Sequence, residues 1–175
     1  DNIDVQYAKD NGIEVKNTPK SPSESVAELA MAHMFSCARY ISIAGHSMRE
    51  GKWEKKPTAR ASSCRQDSGI IGFGRIGQHL GVMAKAIGMN VVAYSTTRRP
   101  EVEAKFGIPY VTLEELPAQS DFISLHAPAA PGAPLINADT IAKMKDGVVI
   151  INTSRGANVD EDALLAALES SKVRA

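Results

Sequence analysis

Three glycines, Gly72, Gly74 and Gly77, have G-x-G-x-x-G spacing in the stretch GIIGFGRIGQHL, with an apolar run before them and a helical pattern after them. In such a turn the first glycine permits a tight bend and the second lets the backbone approach a phosphate. The third lets the helix pack closely on its strand. The helix N-terminus then directs N–H groups and a positive dipole end at the phosphates. The spacing predicts a site for a dinucleotide pyrophosphate, the alternative being a glycine-rich turn with a purely structural role.

The segment after the next predicted strand bears on which dinucleotide is bound. An NAD-binding fold usually places Asp or Glu there, to accept a hydrogen bond from the ribose 2′-hydroxyl. This chain has Ser95, followed by Thr96, Thr97, Arg98 and Arg99. Without a carboxylate nothing repels a 2′-phosphate, and two arginines and three hydroxyls can form charge-assisted hydrogen bonds with it. We therefore favour NADP over NAD, the alternative being a solvated turn that accepts either cofactor.

The elements that position these residues alternate regularly after residue 68. Strands are predicted at 69–72, 91–94, 110–111, 122–125 and 148–152, with another starting at Val173; helices are predicted at 76–88, 101–106, 114–119, 139–144 and 161–169. Short apolar strands that alternate with helices indicate βαβ units and a parallel sheet covered on both faces. The predicted fold class is α/β, a doubly wound parallel sheet of the Rossmann type.

The part before residue 68 has a different character. A helix over 5–9 and a strand over 13–15 precede a helix that starts at the Ser21–Glu24 cap and continues through 26–44. This helix is apolar on nearly every side, so it needs cover on every side. It is either buried within its own domain or partly covered by another subunit. A polar, basic linker over 45–68 follows it.

Composition excludes several classes of partner. The chain has 175 residues, of which 43% are apolar and 23% charged, and its formal net charge is zero. A neutral chain argues against nucleic acid or an anionic membrane as the main partner, and the sequence has neither a membrane-spanning run nor a signal-peptide pattern. Cys37 and Cys64 have no Cys or His at metal-ligand spacing, so we expect no metal and a reducing, cytoplasmic setting.

Six stretches occur along the chain in one order: SPSESVAELA, GKWEKK, GFGRIGQ, SLHAP, LINADTIAKMKDG and VVIINTSRGANVDEDALLAAL. Together they closely resemble the D-isomer-specific 2-hydroxyacid dehydrogenases, over residues 1–175. The resemblance implies an NAD(P)-dependent enzyme that transfers a hydride between a nicotinamide and a D-2-hydroxy or 2-keto acid. Phosphoglycerate dehydrogenase and glyoxylate/hydroxypyruvate reductase fit equally well. A non-catalytic, NAD(H)-sensing corepressor relative is the alternative, and a methyltransferase would share only the glycine turn.

The resemblance assigns the substrate contact to the segment after strand 148–152. It implies that Arg155 binds the substrate carboxylate and polarises the carbonyl, and that Thr153 and Ser154 lie beside the nicotinamide half of the cofactor. Arg155 also suits this role chemically, since guanidinium is a planar fork that stays charged at any working pH. A structural ion-pair partner is the alternative for Arg155.

Further cofactor contacts follow from the same resemblance. Arg75 and Ile76 would supply N–H groups over the pyrophosphate. His126, Ala127 and Pro128 would line the cofactor cleft after strand 122–125, mainly through their backbone. A catalytic role is not assigned to His126.

The family's proton-transfer His and its Glu partner are expected after the strand that starts at Val173, and this chain alone has neither. The histidines at positions 33, 46 and 79 are interpreted as structural or surface residues, and no His is expected to have a carboxylate partner.

The resemblance divides the chain into two parts. Residues 1–20 correspond to the tail of a substrate domain, and residues 21–175 to a dinucleotide-binding domain that is incomplete at its C-terminus. A homodimer is expected to form through helix 24–44 and the arm around Gly51–Lys56.

The lead-in to the glycine strand departs from the family. A hydrophobic lead-in is usual there, but this chain reads Ser63-Cys64-Arg65-Gln66-Asp67-Ser68. Since Asp and Ser are poor strand residues, a strand that starts late, at Gly69, is expected.

Overall fold

A computed structural model describes residues 3–18, 23–54, 66–129 and 132–175. Several expectations fall outside these ranges: the domain boundary after residue 20, the helix cap at Ser21, residues 55–56 of the arm, and Cys64.

The described chain forms a parallel sheet in the order β2-β1-β3-β4. Its strands are β1 (Asp67–Ile71), β2 (Asn90–Tyr94), β3 (Phe122–Leu125) and β4 (Val149–Asn152). The chain passes from β1 to β2 on one side and then crosses to β3 on the other side. The carboxyl ends of β1 and β3 therefore flank the topological switch point, where open α/β sheets bind ligands. The predicted parallel α/β sheet is confirmed.

Helices cover both faces of the sheet. They are α1 (Val5–Asp10), α2 (Ser23–Arg39), α3 (Ile41–Arg49), α4 (Arg75–Ala86), α5 (Pro100–Phe106), α6 (Glu115–Gln119), α7 (Ala138–Ala142) and α8 (Glu161–Glu169), with a 3₁₀ turn over Gly156–Asn158. One core joins α2, α4 and α5 to the sheet, and a second core joins α6, α7 and α8 to the opposite face. Successive side chains of β1 point to opposite faces of the sheet, so Ile70 belongs to the first core and Ile71 to the second.

The prediction of one continuous helix over 26–44 is wrong, because the helix is interrupted at Tyr40. Tyr40 has φ 54°, a left-handed conformation, and α3 begins directly after it. The break lets α2 bury its alanine and methionine face, including Ala27 and Met34, while α3 turns away. Part of the apolar surface of α2 and α3 stays exposed, since Leu29, Ile41 and Ile43 each have at least half of their area accessible to solvent.

Three short predicted strands also differ from the structure. Residues 13–15 form no strand, and their apolar side chains Ile13 and Val15 are exposed, so no apolar burial holds them in a sheet. Tyr110 forms only an isolated bridge with Ala93. Val173, where another strand was predicted to start, likewise forms only an isolated parallel bridge, with Val148 beside β4.

The expected late start of β1 is wrong as well, since β1 begins at Asp67. The N–H of Asp67 donates to the Asp121 carboxylate over 2.8 Å, and its own carboxylate accepts from Lys145 (2.7 Å) and Asn90 (3.0 Å). These hydrogen bonds offset the low strand propensity of Asp. The hydrogen bond from Lys145, followed by that from Asn90, lowers the pKa of Asp67 below its ordinary value.

Candidate functional site

The three glycines have three different surroundings. Gly72 has φ +96°, and a Cβ there would lie 2.6 Å from the backbone of His126 and Ala127 at the end of β3. A Cβ on Gly77 would collide with the carbonyl oxygen of Gly72. The protein itself therefore requires glycine at both positions, the first for its dihedral angle and both for close backbone packing.

Gly74 differs because nothing lies within 4 Å of where its Cβ would be. It caps α4 without a side-chain hydrogen bond, and the first intrahelical bond runs from Gln78 N to Gly74 O (2.9 Å). The N–H groups of Arg75, Ile76 and Gly77 precede that bond, so they are available to an external acceptor. Open space beside a bare glycine at a helix N-terminus fits a pyrophosphate.

A cavity of about 260 Å³ opens at the switch point between β1 and β3. It is lined by Gly72, Phe73, Gly74, Tyr94, Ser95, Thr96, His126, Ala127, Pro128 and Leu135. Six residues that the sequence placed at the cofactor thus share one cavity: the first two glycines, Ser95 and the His-Ala-Pro segment. Sequence reasoning did not identify Phe73, Tyr94 and Leu135, which supply apolar walls.

The remaining predicted cofactor residues lie around this cavity and do not line it. Arg75 faces a second groove, between α2, α4 and α5. Ile76 packs its side chain against the core, which leaves its N–H for a ligand. Arg98 and Arg99 are exposed on the turn after β2, where the backbone of Arg99 hydrogen-bonds Tyr110.

His126 bridges the ends of two strands through its side chain. Its Nε2 lies 2.9 Å from Oγ of Ser124, and its Nδ1 lies 3.4 Å from Oγ1 of Thr153. Burial lowers its pKa from 6.5 to about 4, so the imidazole is neutral near pH 7. Its ring partners are hydroxyls, and the expectation that it contacts a cofactor mainly through its backbone stays a prediction.

The loop after β4 carries the predicted substrate contact. Asn152 accepts from Ser154 N (3.0 Å) and Ser154 Oγ (2.7 Å), and its Nδ2 donates to Arg155 O (2.9 Å). The Asn152 side chain thus folds the loop into a compact turn. The side chain of Arg155 is exposed at the same edge of the sheet as the cavity, and its Nη1 donates to Ser154 O (3.1 Å).

Asn158 was missed by the sequence reasoning. It is 2% exposed, and its Nδ2 donates to Ala127 O (2.9 Å) and Ser154 Oγ (3.1 Å). No local pattern signals this role, because its partners belong to the segment after β3 and to the loop before the 3₁₀ turn.

The other histidines lie away from the cavity. His33 and His79 are exposed on helices, as expected. The expectation that no His has a carboxylate partner is wrong, because His46 Nε2 lies 3.1 Å from the Glu50 carboxylate. This is an exposed pair one helical turn apart at the end of α3, so it is a surface contact. In the described ranges no three His, Cys, Asp or Glu side chains are grouped to hold a metal ion.

The sequence profile described as "D-isomer specific 2-hydroxyacid dehydrogenase, NAD binding domain" matches residues 31–175. A hydroxypyruvate reductase of Thermotoga maritima is 49% identical over 176 residues, which cover 100% of this chain and 56% of that protein. A D-3-phosphoglycerate dehydrogenase of Synechocystis is 42% identical over 174 residues, covering 99% of this chain and 31% of that protein.

Solved structures agree. The pyruvate reductase of Chlamydomonas reinhardtii superposes with a TM-score of 0.90 at 40% identity, covering 100% of this chain and 52% of that one. A D-lactate dehydrogenase from Aquifex aeolicus, solved with NAD and lactic acid, superposes with a TM-score of 0.83 at 34% identity, covering 98% of this chain and 52% of that one. The chain thus spans about half of these structures. It belongs to the D-isomer-specific 2-hydroxyacid dehydrogenase family, with residues 31–175 matching the NAD-binding domain.

Proposed function

We propose that the full-length protein carrying this chain is an NAD(P)-dependent D-2-hydroxyacid dehydrogenase. One observation carries the proposal: the glycine turn, the end of β3 and the Arg155 loop after β4 meet at one edge of the sheet. The cavity at this edge contains the first two glycines and the His126–Pro128 segment. The same edge therefore offers N–H groups for a pyrophosphate and a guanidinium for an acid substrate.

Arg155 binds the substrate carboxylate in this proposal. Its guanidinium presents paired N–H donors to two carboxylate oxygens, and its positive charge stabilises negative charge that develops on the carbonyl oxygen during reduction. The nicotinamide, when bound, supplies or accepts the hydride. Thr153 and Ser154, directly before Arg155, border the nicotinamide half of the site.

Proton transfer requires a group other than His126. With a pKa of about 4, the buried imidazole is neutral near pH 7 and is a poor general acid there. We assign it to orienting Thr153, and we assign proton transfer to the family's His and Glu, which the resemblance places after the strand at Val173. Residues 1–20 then belong to the substrate domain, and residues 21–175 to the dinucleotide-binding domain.

The proposed substrate is a small 2-keto acid, with hydroxypyruvate first. The higher identity to a protein named hydroxypyruvate reductase, 49% against 42% for phosphoglycerate dehydrogenase, supports this order. The proposed cofactor is NADP(H). Ser95 supports it, since this residue lines the cavity where a carboxylate would repel a 2′-phosphate.

We also propose a homodimer, formed through α2, α3 and the adjoining arm. Apolar side chains are exposed along this surface: Leu29, Ile41, Ile43, Met48 and Trp53, the last with 78% of its area accessible. Contiguous exposed apolar surface marks an interaction site, and a second copy agrees with the family resemblance.

The proposed location is cytoplasmic, in keeping with the free thiol of Cys37. Among the described helices, none has the length and apolarity to cross a bilayer.

The experiment is a steady-state assay of the full-length protein. NADPH or NADH oxidation is followed with hydroxypyruvate, glyoxylate or pyruvate, and cofactor reduction with D-3-phosphoglycerate. Arg155→Lys should lower kcat/KM roughly 10- to 100-fold, because a hydrogen bond to a charged group contributes about 1.5–3 kcal/mol and ammonium cannot replace the fork.

Lys105→Ala is the matched control, since it removes a cation outside the cavity on α5. It should leave kcat/KM unchanged. Cofactor binding without turnover of any of the four substrates would contradict the proposed activity.

A further inference from the structure

The side chain of Asn158 links the cofactor cavity to the loop that carries Arg155. Its side chain is buried, with 2% of its area exposed, at the end of the 3₁₀ turn. Its amide contacts two different segments: Nδ2 donates to Ala127 O after β3 (2.9 Å) and to Ser154 Oγ after β4 (3.1 Å). One amide thus connects the cofactor cleft to the Arg155 loop.

The peptide of Arg155 is held from both sides. Its carbonyl oxygen accepts from Asn152 Nδ2 (2.9 Å) and from the backbone N–H of Asn158 (3.1 Å). The hydroxyl of Ser154 lies 2.7 Å from Asn152 Oδ1 while it accepts from Asn158 Nδ2. The two asparagines therefore clamp the loop between β4 and the 3₁₀ turn.

The far side of the 3₁₀ turn is fixed as well. Ile136 N donates to Asn158 O (3.0 Å), and Asp160 N donates to Ile136 O (2.8 Å). Residue 158 therefore stays in place, and its side-chain amide adds the link from the loop to the end of β3. Losing these part-buried hydrogen bonds costs about 0.5–1.5 kcal/mol each, which is enough to favour another arrangement of a short loop.

The geometry points to Asn158 as a positioning residue that fixes the Arg155 loop against the end of β3 and so orients the guanidinium toward the 2-keto acid; this inference rests on the proposed function. Asn158 does not touch the substrate in this proposal. It acts through Ser154 Oγ and Ala127 O.

The test uses the full-length protein with Asn158→Leu and Asn158→Asp, two variants of similar size that remove the N–H donors. KM for hydroxypyruvate should rise and kcat should fall in both, by roughly tenfold or more in kcat/KM, since misplacement by about 1 Å costs up to about 100-fold. KM for hydroxypyruvate should change more than KM for the reduced cofactor, because Arg155 holds the acid while the glycine turn, which Asn158 does not contact, holds the pyrophosphate.

Ser120→Ala is the matched control. Ser120 is fully buried, and its Oγ donates to Leu116 O over 2.7 Å, near the opposite end of β3. It should lower the melting temperature without changing KM for hydroxypyruvate. Unchanged kinetics in a folded Asn158 variant would overturn the inference.

The two proposals fail differently. If Arg155→Lys leaves KM and kcat unchanged, the proposed role of Arg155 fails, and the inference fails with it. If Arg155→Lys impairs the enzyme while Asn158→Leu and Asn158→Asp do not, only the inference fails. Asn158→Asp keeps the side-chain volume but has no donor for Ala127 O, and the one hydroxyl proton of Ser154 is already donated to Asn152 Oδ1, so this variant tests the inference where leucine is not tolerated.

Discussion

Nδ1 of His126 lies 3.4 Å from Oγ1 of Thr153, while Nε2 lies 2.9 Å from Oγ of Ser124, so one imidazole joins the ends of β3 and β4. A neutral ring has one donor nitrogen and one acceptor nitrogen, which suits two hydroxyl partners. A protonated ring has two donors and a charge that burial disfavours, which explains the lowered pKa. The neutral form therefore belongs to the folded state.

His126 should make the free energy of unfolding decrease as the pH is lowered. The pKa of His126 is about 4 when folded and 6.5 ordinarily, so the unfolded chain takes up a proton that the folded chain does not. The free energy of unfolding is therefore unaffected above pH 6.5 and decreases as pH falls toward 4, by up to about 3 kcal/mol. Urea unfolding across this range, compared with His126→Asn, measures the effect.

The His126→Asn variant should lose most of that slope. Asp67 and Glu115, whose pKa values lie below their ordinary values, contribute equally to both proteins, so the difference between the two slopes isolates His126. The ring Cε1 proton reports the same pKa directly by NMR. A midpoint near 6.5 would contradict the buried neutral imidazole.

The second and third glycines should respond differently to alanine. Gly74→Ala places a methyl in open space, so the fold should survive, but the methyl occupies the proposed pyrophosphate position. Cofactor affinity should fall by tenfold or more, about 1.4 kcal/mol. Gly77→Ala drives a methyl into the carbonyl of Gly72 and should mainly destabilise the fold.

Thermal unfolding with and without NADPH separates the two outcomes. Gly74→Ala should keep the ligand-free melting temperature and lose the ligand-induced rise, while Gly77→Ala should lower the ligand-free value. Gly45→Ala, in α3 away from the site, controls for a new methyl. If Gly74→Ala bound NADPH as tightly as the unmodified protein, the pyrophosphate could not lie beside Gly74.

The sequence predicted those parts of the fold that depend on local pattern. β3 and α8 have the predicted bounds because short apolar runs and capped helices are signals within one element. The glycine turn was recognisable for the same reason. The break at Tyr40 was not, since a tyrosine in the left-handed region results from packing on either side of it and not from its own preference.

Long-range partners explain the other differences. Asp67 is a poor strand residue, yet Asp121 and Lys145, distant in sequence, hold it at the start of β1. Asn158 likewise shows no local signal, because Ala127 lies beyond one strand and one helix. Both residues act through tertiary hydrogen bonds, which a single sequence does not reveal.

Ser68 should be a site where alanine stabilises the protein. It is fully buried at the centre of the sheet, and its Oγ has no hydrogen-bond partner among the described residues. Ser68→Ala removes an unpaired buried hydroxyl and should raise the free energy of unfolding by about 1 kcal/mol. The melting temperature should rise by about 2–4 °C. Ser120→Ala, which breaks a buried hydrogen bond, should shift it the other way; a loss of stability in both would show that Ser68 is satisfied.

Arg98 tests the proposed preference for NADP(H). Its guanidinium is exposed on the turn after Ser95, a residue that lines the cavity, so it can turn toward a 2′-phosphate. Arg98→Ala should weaken NADPH binding roughly tenfold, since a charge-assisted hydrogen bond contributes about 1.5–3 kcal/mol, and should leave NADH binding nearly unchanged. Fluorescence titration of the full-length protein with both cofactors measures this. Lys105→Ala controls for the general loss of a positive charge, and equal weakening of NADPH and NADH by Arg98→Ala would show that the turn does not recognise the phosphate.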